Sequence, residues 1–139
     1  MESPNQLDLT VLSKAINSLS VALNEYKKDT SNEFVRDSCI QRFEYCYDLS
    51  AKFIKRYLAL TSENPTEIKE LSFQNLIRTA YGKGLLKNSW DEWWQYRDNR
   101  NVTSHGYDEN KAIKVVTELP PFYQEMQYLL NSLQERNDF

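Results

Sequence analysis

The sequence has few of the residues that build metal sites and phosphate-binding loops. Its 139 residues include a single His, two Cys and three Gly. A structural zinc site takes four Cys or His ligands, so this supply predicts no metal. Gly82 and Gly84 flank Lys83, but the spacing GxxxxGK[ST] of a phosphate-binding loop is absent, and we interpret the two glycines as a helix stop. We therefore expect neither a metal nor another cofactor.

Long apolar runs and disulfide spacings are also missing. Cys39 and Cys46 stand seven residues apart on one predicted helix, which places their Cα atoms about 10 Å apart, beyond disulfide reach. Two reduced core thiols fit a reducing compartment. No apolar run approaches the roughly 20 residues of a membrane span, and the N-terminus MESPNQLDLT lacks the basic and apolar regions of a signal peptide. We expect a cytoplasmic protein without a membrane segment.

The sequence has no excess of positive charge. Its formal net charge is −3 at pH 7. General adhesion to nucleic acid depends on Lys and Arg residues that release counterions from phosphates, so the surface as a whole does not suit it. Any contact with RNA must therefore be local. The candidate cations cluster in the third quarter of the chain and are Arg78, Lys83, Lys87, Arg97 and Arg100.

Helical periodicity, by contrast, runs through most of the chain. Apolar residues recur every three or four positions, which predicts a first helix from about Asp8 to Lys28 and a second from about Glu33 to Leu60. Pro65 breaks the pattern, and a short helix follows the break. Ser89 is the predicted N-cap of a fourth helix.

The last helical region is predicted to begin at Asp108 or Glu109, and Pro120 and Pro121 kink or divide it. No repeat and no strand pattern is present. Residues 1–139 are therefore predicted to form one all-α domain, an antiparallel up-and-down bundle of about five helices.

Two groups of residues need an interpretation within this bundle. Trp90, Trp93 and Trp94 are predicted to pack in the core, because large aromatic side chains bury well. Glu44 and Lys52 interrupt the apolar face of the second helix, and we interpret both as solvated positions.

The segment from Ser89 to Tyr107 concentrates the chemistry of the chain. Arg100, His105 and Tyr107 place a fixed cation, a titratable imidazole and a phenol within about two helical turns. On an unbroken helix, Arg100 and His105 would point about 140° apart and could not meet on one small group. Two β-branched residues lie between them and Gly106 follows, so we expect the helix to loosen or end here and swing His105 round. A second copy of the chain across a dimer axis could also bring the two side chains together.

The same residues also have a structural interpretation. A lone His near a helix end is most often a cap or a surface residue. Arg97 and Arg100, three residues apart, often do no more than solvate one helix face. The spacing of these residues alone does not decide between a functional site and a surface.

The segment RNVTSHGY contains the motif R-x4-H-x-Y and resembles the corresponding segment of HEPN-domain proteins, in particular the small helical partners of minimal nucleotidyltransferases. The segments RFEYCYDLSAKFIKRYL and WDEWWQYRDNRNVTSHGYDE resemble the long second helix and the motif region of that family. The resemblance covers most of the chain. It implies a helical bundle, usually a homodimer, that is encoded beside a nucleotidyltransferase subunit.

By this resemblance, Arg100 and His105 would be catalytic residues in metal-independent RNA cleavage. Tyr107 would be the residue that the nucleotidyltransferase adenylylates to silence the nuclease, as in the paired toxin and antitoxin systems of the family. Asn101 fits the polar residue that often follows the motif Arg. Arg97 lies outside the motif, and its assignment to substrate binding rests on its proximity in the sequence.

The residue types suit this chemistry. RNA carries its own nucleophile, the 2′-OH, while an imidazole can take up and release a proton near neutral pH and a guanidinium can stabilise charge on phosphate oxygens. A single His supplies one acid or base, so a dimer that pairs two sites would supply the other.

Three functions remain open from the sequence. The first is a HEPN subunit of a two-component nucleotidyltransferase system with regulated RNase activity. The second is a non-catalytic subunit that presents a small substrate or a nucleotide to the nucleotidyltransferase, with the Arg residues holding an anion. The third is a helical interaction module whose motif is inactive.

Overall fold

The computed structural model describes residues 7–137, and helices are the only regular secondary structure in that range. The predicted all-α class is therefore confirmed. The helices are α1 (Thr10–Lys28), α2 (Glu33–Thr61), α3 (Pro65–Glu70), α4 (Phe73–Gly82), α5 (Trp90–Ser104), α6 (Glu109–Thr117) and α7 (Leu119–Arg136). None of the helices in this part of the chain is long and apolar enough to cross a membrane.

The number of helices is larger than the predicted five, because two segments divide. Asn64 caps a separate helix α3 that begins at Pro65, and Ser72 then caps α4 after an extended Leu71. The division between α6 and α7, at Glu118, agrees with the predicted effect of the two prolines that follow it. The short extra helix makes the connection from α2 to α4 more regular than a loop.

α2 is the central helix of the bundle. It begins where the Asn32 side chain accepts hydrogen bonds from the N–H groups of Phe34 and Val35 and so caps the helix. It packs along α1, to which a short turn joins it in antiparallel fashion, and it also contacts every other helix from α3 to α7. Residues on several sides of α2 are therefore buried, and its remaining polar side faces the helix that carries the motif.

Aromatic rings connect α2, α5 and α7 in the core. The ring centroids of Phe43 and Phe122 lie 4.8 Å apart in an edge-to-face arrangement, and Tyr96 contacts Phe122 at 5.3 Å in the same geometry. Trp93 is fully buried and contacts Tyr96 at 5.3 Å. These contacts fix α5 against α2 and thereby orient the motif.

The prediction that the three tryptophans lie in the core is correct only in part. Trp93 is fully buried, and Trp90 is half-buried against Phe73 at a centroid distance of 5.9 Å. Trp94 is 49% exposed, so its assignment to the core is wrong. It follows Trp93 directly, and consecutive residues of a helix point about 100° apart.

A buried carboxylate holds the loop before α5 in place. Glu125 of α7 accepts hydrogen bonds from the backbone N–H groups of Lys87 and Asn88 at 3.0 and 2.9 Å, and from the indole N–H of Trp93 at 2.7 Å. Burial raises the pKa of Glu125, and these hydrogen bonds act in the opposite direction. Nothing in the sequence predicts this network, which sets where α5 begins.

Candidate functional site

Local chemistry sets both ends of α5. At its beginning, Ser89 and Glu92 form a reciprocal capping box, as the prediction of a Ser89 cap requires. At its end, the last helical residue is Ser104, His105 is the C-cap, and Gly106 has a positive φ of 85°. The helix therefore stops between the motif Arg and the motif Tyr, as expected from Gly106.

Arg100 is held by two carboxylates of α2. Its Nη1 donates to Glu44 Oε2 at 2.6 Å, while its Nε and Nη2 donate to the two carboxylate oxygens of Asp48 at 3.2 and 3.1 Å. The side chains of Arg100 and Glu44 are only 23% and 26% exposed, whereas that of Asp48 is 50% exposed. The hydrogen bonds to Asp48, together with the charges of both acids, raise the pKa of Arg100. The interpretation of Glu44 as a solvated residue is therefore wrong, while Lys52 is exposed.

Tyr107 lies half-buried beside the first turns of α2. Burial, followed by the negative charges of Asp37 and Glu44, raises the pKa of its phenol, and the positive charge of Arg36 acts in the opposite direction. A cleft of about 210 Å³ next to the phenol is lined by Arg36, Asp37 and the first residues of α6. Glu44 thus acts electrostatically on Tyr107 while it binds Arg100, so the two motif residues share one acidic neighbour.

Arg36 is an unusual member of this cleft. It is 7% exposed, its only ion pair joins Nη1 to Glu109 at 3.7 Å, and its Nε has no hydrogen-bond acceptor among residues 7–137. A buried guanidinium with so few partners is a strong local source of positive charge. It lies beside the phenol of Tyr107 and belongs to α2, the helix whose carboxylates bind Arg100.

The other predicted site residues are not drawn into these contacts. His105 and Asn101 are exposed, and within the described residues neither side chain makes a hydrogen bond or an ion pair. Arg97 places its guanidinium over the ring of Phe73, 5.8 Å from the centroid. It still contributes to the same electrostatic environment, because Arg97 and Arg100 both lower the pKa of Tyr47, which burial raises to about 12.

Sequence reasoning missed the acidic side of this site. Asp37, Glu44 and Asp48 are spaced by seven and four residues, so they occupy one face of α2. That spacing is visible in the sequence, but it does not say which other helix the face meets. Within residues 7–137, no group of three or more His, Cys, Asp or Glu side chains is arranged to hold a metal ion.

Comparison with known proteins places the chain in a family. The sequence model of the family described as "Nucleotidyltransferase substrate binding protein like" matches residues 7–135. The chain belongs to this family. The resemblance drawn from the motif and from the long second helix is therefore confirmed.

One sequence and one solved structure match the chain over nearly its whole length. A protein of Haemophilus influenzae named "Probable ribonuclease HepT" is 34% identical over 143 residues, which cover 97% of each chain. A solved structure from Haemophilus influenzae, described as the fold of a substrate binding domain of a nucleotidyltransferase, matches with a TM-score of 0.85 and 32% identity. That match covers 91% of this chain and 99% of the solved one, so the two folds are the same over nearly all of both chains.

Proposed function

We propose that this chain is the helical subunit of a two-component minimal nucleotidyltransferase system and a metal-independent RNase that adenylylation of Tyr107 switches off. The proposal is carried by the placement of the motif. Arg100 is oriented by two carboxylates, His105 is the C-cap at the exposed end of α5, and Tyr107 lines a cleft together with Arg36 and Asp37. The name of the family supports a nucleotidyltransferase partner, and the name of the Haemophilus influenzae relative supports RNase activity.

In the proposed cleavage, the substrate supplies its own nucleophile. The RNA 2′-oxygen attacks the neighbouring phosphorus and the bond from that phosphorus to the 5′-oxygen breaks, which leaves a cyclic phosphate and a free 5′-OH. His105 takes the 2′-OH proton, and Arg100 stabilises the charge that builds on the phosphate oxygens. The 5′-oxygen needs a proton from a second acid, which the His of a second copy supplies in a homodimer.

In the proposed regulation, the phenol of Tyr107 attacks the α-phosphorus of ATP. The new bond joins the phenolic oxygen to phosphorus, pyrophosphate leaves, and the phenolic proton is released. The attached AMP brings a bulky anion next to Arg36 and within reach of the Arg100 site. RNA is then excluded by volume and by charge.

The decisive experiment for cleavage uses the purified, unmodified protein on single-stranded RNA, with His105→Ala prepared in parallel. The wild-type protein should cleave, and His105→Ala should lose at least about 100-fold in rate because proton transfer is removed. RNA with methylated 2′-oxygens at the cut site should resist cleavage. Equal cleavage by both proteins would expose a contaminating nuclease, and no cleavage by unmodified wild type would contradict the proposal.

A separate experiment tests the regulation. Incubation with the cognate nucleotidyltransferase, ATP and magnesium should increase the intact mass by AMP units, and the increase should disappear in Tyr107→Phe. Tyr45→Phe is the matched control, because Tyr45 is 54% exposed and lies on α2 outside the motif. A mass increase that persists in Tyr107→Phe would show that another residue is modified.

One observation favours a second candidate, a non-catalytic subunit that binds a substrate or a nucleotide for the nucleotidyltransferase. Glu44 and Asp48 offset the charge of Arg100. Arg100 therefore stabilises a reacting phosphate group less strongly than a guanidinium without carboxylate partners would. Under this function, the unmodified protein binds a nucleotide in the cleft beside Tyr107, where Arg36 supplies the positive charge, and it leaves RNA intact. Isothermal titration calorimetry with ATP and with AMP separates it from the RNase function.

A further inference from the structure

A groove lined by cations continues the motif-facing side of α2. It has a volume of about 840 Å³, and its charged lining consists of Lys52, Lys55, Arg56 and Lys69. Aliphatic side chains, among them Leu60 of α2, form its floor. We call this surface the basic groove. It is a concentrated positive patch on a protein whose net charge is −3.

The cations of the basic groove are not neutralised within the protein. In residues 7–137, none of Lys52, Lys55 and Lys69 takes part in an ion pair or a side-chain hydrogen bond. The guanidinium of Arg56 lies over the ring of Phe53 at 5.5 Å and has no carboxylate partner in the same range. Four like charges in one groove repel one another, so an anionic ligand that lies among them gains free energy.

The position of the basic groove relative to the motif follows from helix geometry. Glu44, Asp48, Lys52 and Lys55 are spaced by four, four and three residues, so all of them lie on one face of α2. The charge on this face changes sign between Asp48 and Lys52, about 6 Å apart along the helix. Arg100 occupies the acidic half, and the basic half leads directly away from it.

We propose that the basic groove binds the phosphate backbone of the RNA strand that is cleaved at Arg100 and His105, an inference that rests on the proposed function. It resolves an electrostatic conflict in the site. Arg100 and its two carboxylate partners together carry one positive and two negative charges, which repels RNA, so affinity for the strand must come from other cations. The nearest ones on the same face of α2 are those of the basic groove.

The groove suits a single strand of RNA. Its Lys residues act as mobile point charges on phosphates, and the Arg56 guanidinium offers a flat surface on which a base can stack. The aliphatic floor covers the less polar faces of sugars and bases. An acidic segment of a partner protein is the competing occupant, and the experiment below separates the two.

The test measures binding apart from cleavage. A fluorescein-labelled single-stranded RNA of about 12 nucleotides, within the range of site sizes for such grooves, is titrated with His105→Ala protein and followed by fluorescence anisotropy. Adding Lys52→Gln, Lys55→Gln and Lys69→Gln together should raise Kd about tenfold at moderate salt. It should also reduce the slope of log K against log salt by about 2, since each single-strand phosphate contact contributes about 0.7.

A matched control changes the net charge equally at another place. Lys14→Gln, Lys27→Gln and Lys28→Gln alter three exposed residues of α1, and this triple variant should bind RNA like its parent. Both triple variants should retain the circular dichroism spectrum of the parent. Equal weakening in the two would mean that only net charge matters and would overturn the proposal.

Cleavage kinetics distinguish a failure of this inference from a failure of the proposed function. In the protein that keeps His105, the groove substitutions should raise KM for long RNA much more than KM for a dinucleotide, which spans only the nucleotides next to the cleaved phosphate. If wild type cleaves RNA and the groove variant shows the same KM and Kd, the groove proposal fails and the RNase function stands. If the groove variant binds RNA normally but no longer binds the nucleotidyltransferase, the groove is a protein-docking surface and the RNA assignment is wrong. If wild type does not cleave but the groove variant still loses salt-dependent RNA binding, the RNase function fails, and only the assignment of RNA binding to the groove stands.

Discussion

At the scale of single residues, the clearest feature is the set of hydrogen bonds that the Arg100 guanidinium donates. All three of its nitrogens donate to carboxylates, and two of them form parallel hydrogen bonds with Asp48. Such a fork fixes the direction of the side chain as well as its charge. A Lys at this position would supply a single point charge and could not hold both acids in the same geometry.

The pair between Arg100 and Glu44 should stabilise the protein measurably, because both side chains are about three-quarters buried. A double-mutant cycle with Arg100→Ala and Glu44→Gln, followed by urea unfolding, should give a coupling energy of about 1 kcal/mol. The same cycle with Asp48→Asn should give a smaller value, since Asp48 is half exposed and better screened. A coupling to Glu44 that is indistinguishable from zero would mean that this contact is incidental.

At the scale of elements, sequence and structure agree where local chemistry decides. The beginning of α5 at Ser89 and its stop before Gly106 were predicted, because caps and positive φ depend on residues within a few positions. The partners of Arg100 were not predicted, because they lie more than 50 residues away on α2. An acidic stripe on a helix has the same pattern whether it is solvated or meets an Arg, and only tertiary packing distinguishes the two. Helix geometry separates the directions of Trp93 and Trp94, but only tertiary packing decides which of the two faces the core, so the exposure of Trp94 was missed.

The stop at Gly106 gives a prediction about the link between α5 and α6. Its φ of 85° is costly for any residue with a Cβ, although no atom lies within 4 Å of where that Cβ would be. Gly106→Ala should therefore destabilise the protein by about 1 kcal/mol through backbone strain alone. Gly82→Ala is the matched control. Its added Cβ also has open space, its φ is not positive, and it ends helix α4, so it should be neutral or slightly stabilising.

Urea unfolding of the two glycine variants checks this difference. Equal stability of Gly106→Ala and Gly82→Ala would show that the turn relaxes without cost, and the orientation of the residues after α5 would then not depend on Gly106.

At the scale of the whole molecule, α2 contributes both to the core and to the candidate site. One side of it carries buried groups that ionise with difficulty: burial raises the pKa of Cys39 to about 11 and that of Cys46 to about 12. Burial likewise raises the pKa of Tyr47 to about 12. Another side carries the acids that bind Arg100. The core and the site therefore depend on the same helix, and the sequence revealed the first through its apolar period but not the second.

These buried groups predict a loss of stability at alkaline pH. Their ordinary pKa values are 9.0 for the thiols and 10.0 for the phenol, so the unfolded chain releases these protons at lower pH than the folded one. Their contribution to stability is thus present below about pH 9 and is lost as the pH rises toward 12. Urea midpoints measured between pH 8 and about pH 10.5 should fall. The fall should be smaller in Tyr47→Phe and unchanged in Tyr45→Phe, whose phenol is exposed; a fall of equal size in both variants would exclude Tyr47 as a source.

The last prediction concerns the oligomeric state of the protein and rests on the proposed RNase function. We expect a homodimer in which each cleavage event uses two imidazoles, because one His per chain provides either the base or the acid but not both. Differently tagged wild-type and His105→Ala chains, co-refolded in equal amounts, should form wild-type, mixed and mutant dimers in a ratio of about 1:2:1. If both imidazoles are required, only the wild-type dimers cleave, and the activity should fall to about one quarter of that of the same total amount of wild type. If each chain acts alone, the activity should instead be about one half.

Mixing with Tyr45→Phe chains, which alter an exposed residue outside the motif, should leave the activity unchanged. Light scattering that shows a monomer at micromolar concentration, or a linear dependence of activity on the wild-type fraction, would remove the requirement for a second His105 from the mechanism.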